Sequence, residues 1–150
     1  MGQILDAATT FFTEDDWPFS PVDEKSALSL VFKGQNGQWS CYAQAREEHQ
    51  QFVFYSVCPV HVPDDKQAAL AEFLTRANYG LIVGNFEMDY NDGEIRFKTS
   101  IDVAGDRLSS ALVKQCVYAN VIMMDQYLPG IMSVMYSEMP PAQALAQIEG

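Results

Sequence analysis

The chain has 150 residues, 48% of them hydrophobic and 19% charged, enough apolar content for one sizeable core and too much for wholesale disorder. Its net charge of −11, with only nine Lys and Arg scattered along it, argues against nucleic-acid binding and against docking on anionic membranes. No stretch is apolar enough to span a bilayer, and the start, Met1-Gly2-Gln3-Ile4-Leu5-Asp6, has neither the basic nor the apolar region of a signal peptide. Three widely spaced cysteines, Cys41, Cys58 and Cys116, form no disulfide framework, so a reduced, cytoplasmic protein is expected.

Ile4, Leu5, Ala8, Phe11 and Phe12 recur at helical spacing, and Asp15-Asp16-Trp17-Pro18 should end that helix. The Pro-containing stretch from Phe19 to Lys25 reads as a loop. Three alternating strands follow: Leu28 to Lys33, Trp39 to Arg46 and Phe52 to Val57, with turns at Gly34–Gly37 and Glu47–His49. Short connections between them predict an antiparallel meander. Pro63-Asp64-Asp65-Lys66-Gln67 then predicts a helix start, with Asp64 and Gln67 as a capping box. Leu70, Phe73, Leu74 and Ala77 form the helix stripe, and Gly80 is placed to end it in the left-handed conformation.

Next comes a hairpin around Asp92-Gly93. Taken as a two-residue type I′ loop, it sets Met88 opposite Phe97 and Phe86 opposite Thr99 on the apolar side. On the polar side Glu87 meets Lys98 and Asp89 meets Arg96. A loop centred on Asn91-Asp92 would instead set Asp89 against Glu94, and each such like or unlike pair changes stability by roughly 0.2–1 kcal/mol. The Asp92-Gly93 register is therefore preferred. Beyond Gly105, Leu108, Leu112, Cys116, Ala119 and Met123 mark a long helix, with Pro129-Gly130 predicting a kink or a new short helix over Ile131–Tyr136. Pro140-Pro141 could start a last turn or two, with 138–150 frayed. The order α-β-β-β-α-β-β-α predicts a two-layer α+β sandwich spanning residues 1–150 as a single domain.

Chemistry is hard to place. His49 and His61 have no ligand spacing to each other or to cysteine, so no zinc site is expected. Asp89 to Glu94 resembles a calcium loop, but glycine falls one position early and Ser100 stands where a glutamate is needed. The cysteines lie in apolar or alternating runs, where burial keeps a thiol inert. Leu81-Ile82-Val83-Gly84-Asn85 carries no phosphate-binding pattern. Catalysis would need groups such as Glu72, Asp102 and Tyr118 to converge from scattered positions. What remains is surface: Tyr127, Met132, Met135, Tyr136 and Met139 near the C-terminus, with Trp17 and Phe19 in a loop. These residues either close the core or form an adaptable partner-binding patch, with Trp17, Phe19, Tyr127, Met132, Met135 and Tyr136 as the interface candidates.

Several segments are similar to one bacterial family. Asp16-Trp17, the run Gly37-Gln38-Trp39-Ser40-Cys41-Tyr42, the hairpin from Leu81 to Asp102 and the helix segment Asp125-Gln126-Tyr127-Leu128-Pro129 resemble the YbjN family, whose members are described as sensory transduction regulators. The resemblance implies a fold like that of type III secretion chaperones, which are small, acidic, often dimeric, and bind extended polypeptide. It therefore implies a protein-binding module of regulatory or chaperone-like role, most simply a homodimer, with no cofactor, no metal and no catalytic residues to carry over. The alternative function is a small-molecule-binding domain with its pocket between the sheet and the long helix.

Overall fold

The computed structural model describes residues 2–22 and 24–150; Met1, from the N-terminal reading, and Asp23, from the predicted 19–25 loop, lie outside the described residues. The elements, in order, are α1 (Gln3–Glu14), β1 (Phe19–Pro21), β2 (Ala27–Lys33), β3 (Gln38–Arg46), β4 (Gln51–Val57), α2 (Gln67–Gly80), β5 (Asn85–Met88), β6 (Ile95–Asp102), α3 (Ser110–Tyr136) and α4 (Pro141–Glu149). The strands form one antiparallel sheet in the order β1-β2-β3-β4-β6-β5. The architecture is α+β in two layers, as the alternation predicted.

The layers follow from strand parity. Along β3, Trp39, Cys41, Ala43 and Ala45 are buried, while Gln38, Ser40, Tyr42, Gln44 and Arg46 are exposed. On this side α1 packs on β3 and α3 on β4 and β6, and their Phe11, Phe12, Val117, Val121 and Met124 lie in the same core. Asn120 of α3 is a polar rivet in that core: its Nδ2 donates to the carbonyls of Phe54 on β4 (2.8 Å) and Phe97 on β6 (3.0 Å). It thus ties the helix to the sheet at the point where the meander meets the hairpin strand.

The structure corrects several local expectations. Phe19 to Pro21 is a strand, pairing Phe19 with Leu30 and Pro21 with Leu28, despite its proline. Prolines fit here because β1 is an edge strand. The Asp64–Gln67 capping box does not form: Asp64–Lys66 is a 3-10 turn, and Gln67 instead donates to the Tyr90 carbonyl at 3.3 Å. Gly80 is helical, and the chain leaves α2 through extended Leu81. The hairpin adopts the other register. Phe86 faces Phe97, Glu87 faces Arg96 and Met88 faces Ile95, with Tyr90–Gly93 as a four-residue loop between Asp89 and Glu94.

Two features outside the hairpin's own pairing explain that register. Asp89 Oδ1 accepts from the Asn91 N–H at 2.8 Å, so its carboxylate folds over the loop, where it is fully solvated. The loop is also docked on the segment before α2: Val62 N–H donates to the Gly93 carbonyl (2.9 Å), and His61 Nδ1 lies 3.0 Å from the Asp92 carbonyl. Gly93 sits at φ +77°, and a Cβ there would run into the Val62 backbone, so glycine is required twice over.

Pro129 does not interrupt α3, which continues unbroken to Tyr136. A proline removes the hydrogen bond to the carbonyl four residues back, here Asp125. That carbonyl accepts instead from Asn36 Nδ2 at 3.0 Å. The Asp125 carboxylate in turn accepts from the Gln35 and Asn36 N–H groups of the β2–β3 turn (3.0 and 2.8 Å). Gly130 beside it lets Phe73 and Ile148 approach the α3 backbone closely. Helix α4 packs across α2 and α3, with Ala144 buried and Glu149 accepting from the Tyr127 hydroxyl at 2.7 Å.

Candidate functional site

The helices lie against one face of the sheet, and the other face carries the outward half of each alternating strand. Cross-strand pairing puts Tyr42 beside Tyr55, Tyr55 beside Lys98, and Lys98 beside Asn85. In the neighbouring row Val57, Arg96 and Glu87 stand side by side. The Arg96 guanidinium lies over the Tyr55 ring, 4.3 Å from its centroid. A single carboxylate, Glu87, serves two cations: Arg96 Nε at 2.7 Å and Lys98 Nζ at 2.8 Å. Burial alone would raise the Glu87 carboxyl, but hydrogen bonds from Lys98 and Arg96 outweigh it and hold it below the ordinary carboxylate range. At the far end Arg46 Nε donates to Gln51 Oε1 (3.0 Å), whose Nε2 donates to Asp102 (2.9 Å).

This face is hollowed. One depression in it, about 860 Å³, has Tyr42, Gln44, Tyr55 and Val57 on the floor, the turn from Glu47 to His49 on one wall and Arg96 on another. The expected pocket between the sheet and the long helix is not found among the described residues. Val113, Val117, Val121 and Met124 fill that space against Phe54 and Phe97 with almost no exposure. A second exposed feature lies at the β5 edge, where the last turn of α2 presents Tyr79 (96% exposed) and the connection to β5 presents Ile82 (94%) and Val83 (54%).

The six interface candidates fall into two groups. Trp17 and Phe19 are half-buried around Phe12, with Trp17 stacked on Phe32 at 5.5 Å and donating through Nε1 to Asp15. Tyr127 and Met135 are buried, Met132 is half-buried and Tyr136 is exposed. Tyr127 packs edge-on to Phe86, and burial together with Glu149 pushes its hydroxyl up to about 12. The aromatic pair that the open face does present, Tyr42 and Tyr55, was not singled out from sequence. The available signal was two aromatics on the polar side of alternating strands, where a solvated face ordinarily carries small or charged residues.

The groups considered for catalysis go their separate ways. Glu72 pairs with Arg76 one turn along α2 (2.7 Å), Asp102 sits beside Gln51, and the Tyr118 hydroxyl donates to Asp15. Burial pushes the Cys41 thiol up to about 12 and those of Cys58 and Cys116 to about 11, which removes their nucleophilic form at neutral pH. Among the described residues there is no cluster of three or more His, Cys, Asp or Glu that could hold a metal ion. No helix among them is long and apolar enough to cross a membrane.

Among solved structures the fold is similar to YbjN from E. coli, at 14% identity and a TM-score of 0.59, covering 83% of this chain and 90% of that one. It is also similar to the Yersinia pestis type III secretion chaperone SycH, solved in complex with a fragment of YscM2. There the identity is 13% and the TM-score 0.53, over 80% of this chain and 95% of SycH. The match to the HopA1–SchA chaperone–effector complex is of the same order, at 14% identity and 0.54 over 79% and 88% of the two chains. At these identities the likeness concerns the fold alone. No curated protein matches the sequence. The sequence model of YbjN, described as "Putative bacterial sensory transduction regulator", matches residues 5–132, most of the chain, and the protein therefore belongs to the YbjN family.

Proposed function

We propose that this chain is a non-enzymatic, cytoplasmic protein-binding module of regulatory or chaperone-like role, acting as a homodimer. The observation that carries the reading is the asymmetry of the sheet. One face is sealed by helices; the other, with its paired tyrosines and 860 Å³ hollow, is left for something else to cover. Structures of this fold include chaperones captured with a bound protein fragment, which supports a polypeptide as the covering group. Three reduced, buried cysteines fit a cytosolic setting.

Self-association is supported by Tyr79, Ile82 and Val83, three apolar side chains gathered at the end of α2 and the connection after it, and turned to water in the isolated chain. They would meet their copies side chain to side chain rather than through a continued ladder. The Asn78 side chain already occupies both backbone groups of Phe86 on the edge strand, donating to its carbonyl (3.0 Å) and accepting from its N–H (2.7 Å). Solution mass by light scattering, with identification of proteins co-purifying from native lysate, tests the reading. A dimer that retains a specific partner is the expected result. A monomer with none overturns it.

A further inference from the structure

We propose that α4 is an exchanged element: in a dimer of this chain, each copy's α4 leaves its own helices and docks on α2 and α3 of the other. The proposal rests on the homodimer of the reading above and names the segment that joins the two copies.

The hinge is the first argument. Between the end of α3 at Tyr136 and the start of α4 at Pro141 lie only Ser137, Glu138, Met139 and Pro140. Met139 and Pro140 each precede a proline, which biases both toward extended backbone, and Pro140 sits at φ −57° and ψ 142°. A stiff, extended spacer of this kind carries the chain away from the helix it follows. Folding α4 back onto its own chain therefore needs a sharp reversal, and Glu138 supplies it at φ +53°. That is the left-handed region, where a side chain crowds the backbone and glycine does not. The Glu138 carboxylate meets Lys66 only at 3.7 Å and is 85% exposed, so little is gained in return. Short, strained hinges favour exchange, because the same docking is reached with the hinge extended.

What α4 brings is the second argument. It is a nine-residue helix with no side-chain cap, too short to hold its shape alone in water. Its docked face supplies that stability. Ala144 is buried, Leu145 and Ile148 are half-buried, and Ile148 joins Phe73 in the space that a side chain at Gly130 would take. Glu149 accepts from the Tyr127 hydroxyl. These contacts join α4 to α2 and α3 and none involves the hinge, so the same residues of a second copy can make them unchanged. The family match covers residues 5–132, which places both hinge and α4 outside the segment that defines the family.

The surface beside the hinge is the third argument. Tyr136, the last residue of α3, is 66% exposed. In an exchanged dimer the two hinges pass each other next to the ends of the two α3 helices, and Tyr136 is placed to be covered there by the copy. Association then adds apolar burial that the closed chain lacks. That burial, with the relief of two strained residues, opposes the freedom lost when two chains become one particle.

The test measures the solution mass of the full-length chain by light scattering over a dilution series, and locates α4 by cross-linking. Gln126 of α3 and Gln147 of α4 are exposed and line one 550 Å³ hollow. A chain carrying Gln126→Cys and Gln147→Cys is treated with a short bismaleimide, quenched, and run on a denaturing gel. The three native cysteines are buried with their thiols raised, and stay silent. The expected result is a dimeric mass and a covalent dimer on the gel, since the two cysteines of one hollow then belong to different chains. Glu138→Gly, which takes the left-handed turn without strain in both closed chains, should raise the dissociation constant of the dimer about tenfold or more. Glu138→Ala loses the same Lys66 contact but keeps its Cβ, and should leave that constant within about twofold. A dimeric mass with the link formed inside each chain overturns the exchange and leaves the homodimer standing. So does a Glu138→Gly dimer as tight as the parent, or one weakened no more than Glu138→Ala. A monomeric mass at every concentration overturns both.

Discussion

The two faces of the sheet are made by the same strands and obey opposite rules. On the covered face, Phe52, Phe54 and Phe97 are fully buried, and the buried hydroxyls are engaged: Thr99 donates to the Cys116 carbonyl (2.8 Å), and Ser56 lies against Cys41. On the open face, Tyr42, Tyr55, Arg96 and Lys98 are only partly covered, and they are linked by ion pairs and a cation–π stack that water can reach. The comparison teaches where each kind of energy resides. Stability lies in the face that excludes water, and recognition is free to occupy the other because little of the fold depends on it.

The sharpest test of that division truncates one aromatic on each side. Phe97→Ala removes a ring packed at 4.7 Å against Phe86 and should cost about 3–5 kcal/mol in urea unfolding. Tyr55→Ala, one strand away on the open face, should cost about 1 kcal/mol or less. Equal losses would mean that the open face is structural and would break the comparison.

Next in size is Asn120, whose side chain carries two sheet carbonyls across the covered face. In Asn120→Ala the Phe54 and Phe97 carbonyls lose those donors in a dry site, for an expected loss of about 1–3 kcal/mol. Asn120 Oδ1 is itself buried with no partner among the described residues, so the residue already carries a desolvation cost that its donors offset. Replacement by leucine removes the same polar atoms as alanine but leaves no cavity at this fully buried position, and should therefore be less damaging than alanine. A leucine variant as unstable as the alanine one would show that the carbonyl bonds alone matter.

A smaller effect belongs where the covered face meets water, at the grip of α3 on the β2–β3 turn. Asp125→Ala removes the acceptor of two turn N–H groups that are exposed, and should cost about 1 kcal/mol. Amide exchange at Gln35 and Asn36 should quicken more than at the strands behind them. Uniform quickening would mean that the contact supports the whole sheet.

What was legible in the sequence follows the same line between local and distant causes. Period-two alternation in β2, β3 and β4 and the stripes of α1 and α2 are properties of neighbouring residues, and those elements form where they were expected. The hairpin register was not legible, because the competing charge pairs are worth less than the turn at Asp89 and the docking of Gly93 on Val62. Pro129 reads as a break until Asn36, distant in sequence, takes up the carbonyl it frees. β1 was hidden because prolines are informative only once a strand is known to be at an edge. Of the site, the interface candidates were drawn to hydrophobic residues near the termini, two of which the core absorbs. The open face needed the pairing of Tyr42 with Tyr55 and of Glu87 with Arg96 before its residues could be seen as one surface.

The smallest expected effect is also the one that separates the faces by pH. Glu87 is held below the ordinary carboxylate range in the folded chain, so folding favours its charged form. Its contribution is therefore complete above the unfolded carboxylate range and is lost as pH falls through the lower, folded value. Because the Glu87 side chain is 29% exposed and its partners 38% and 31%, solvent screening limits the gain to about 1 kcal/mol or less. Glu87→Gln should thus lower the urea midpoint slightly at neutral pH, and the gap from the parent should close on acidification below about pH 4. A gap that persists unchanged at acid pH would mean that Glu87 acts through its packing rather than through its charge.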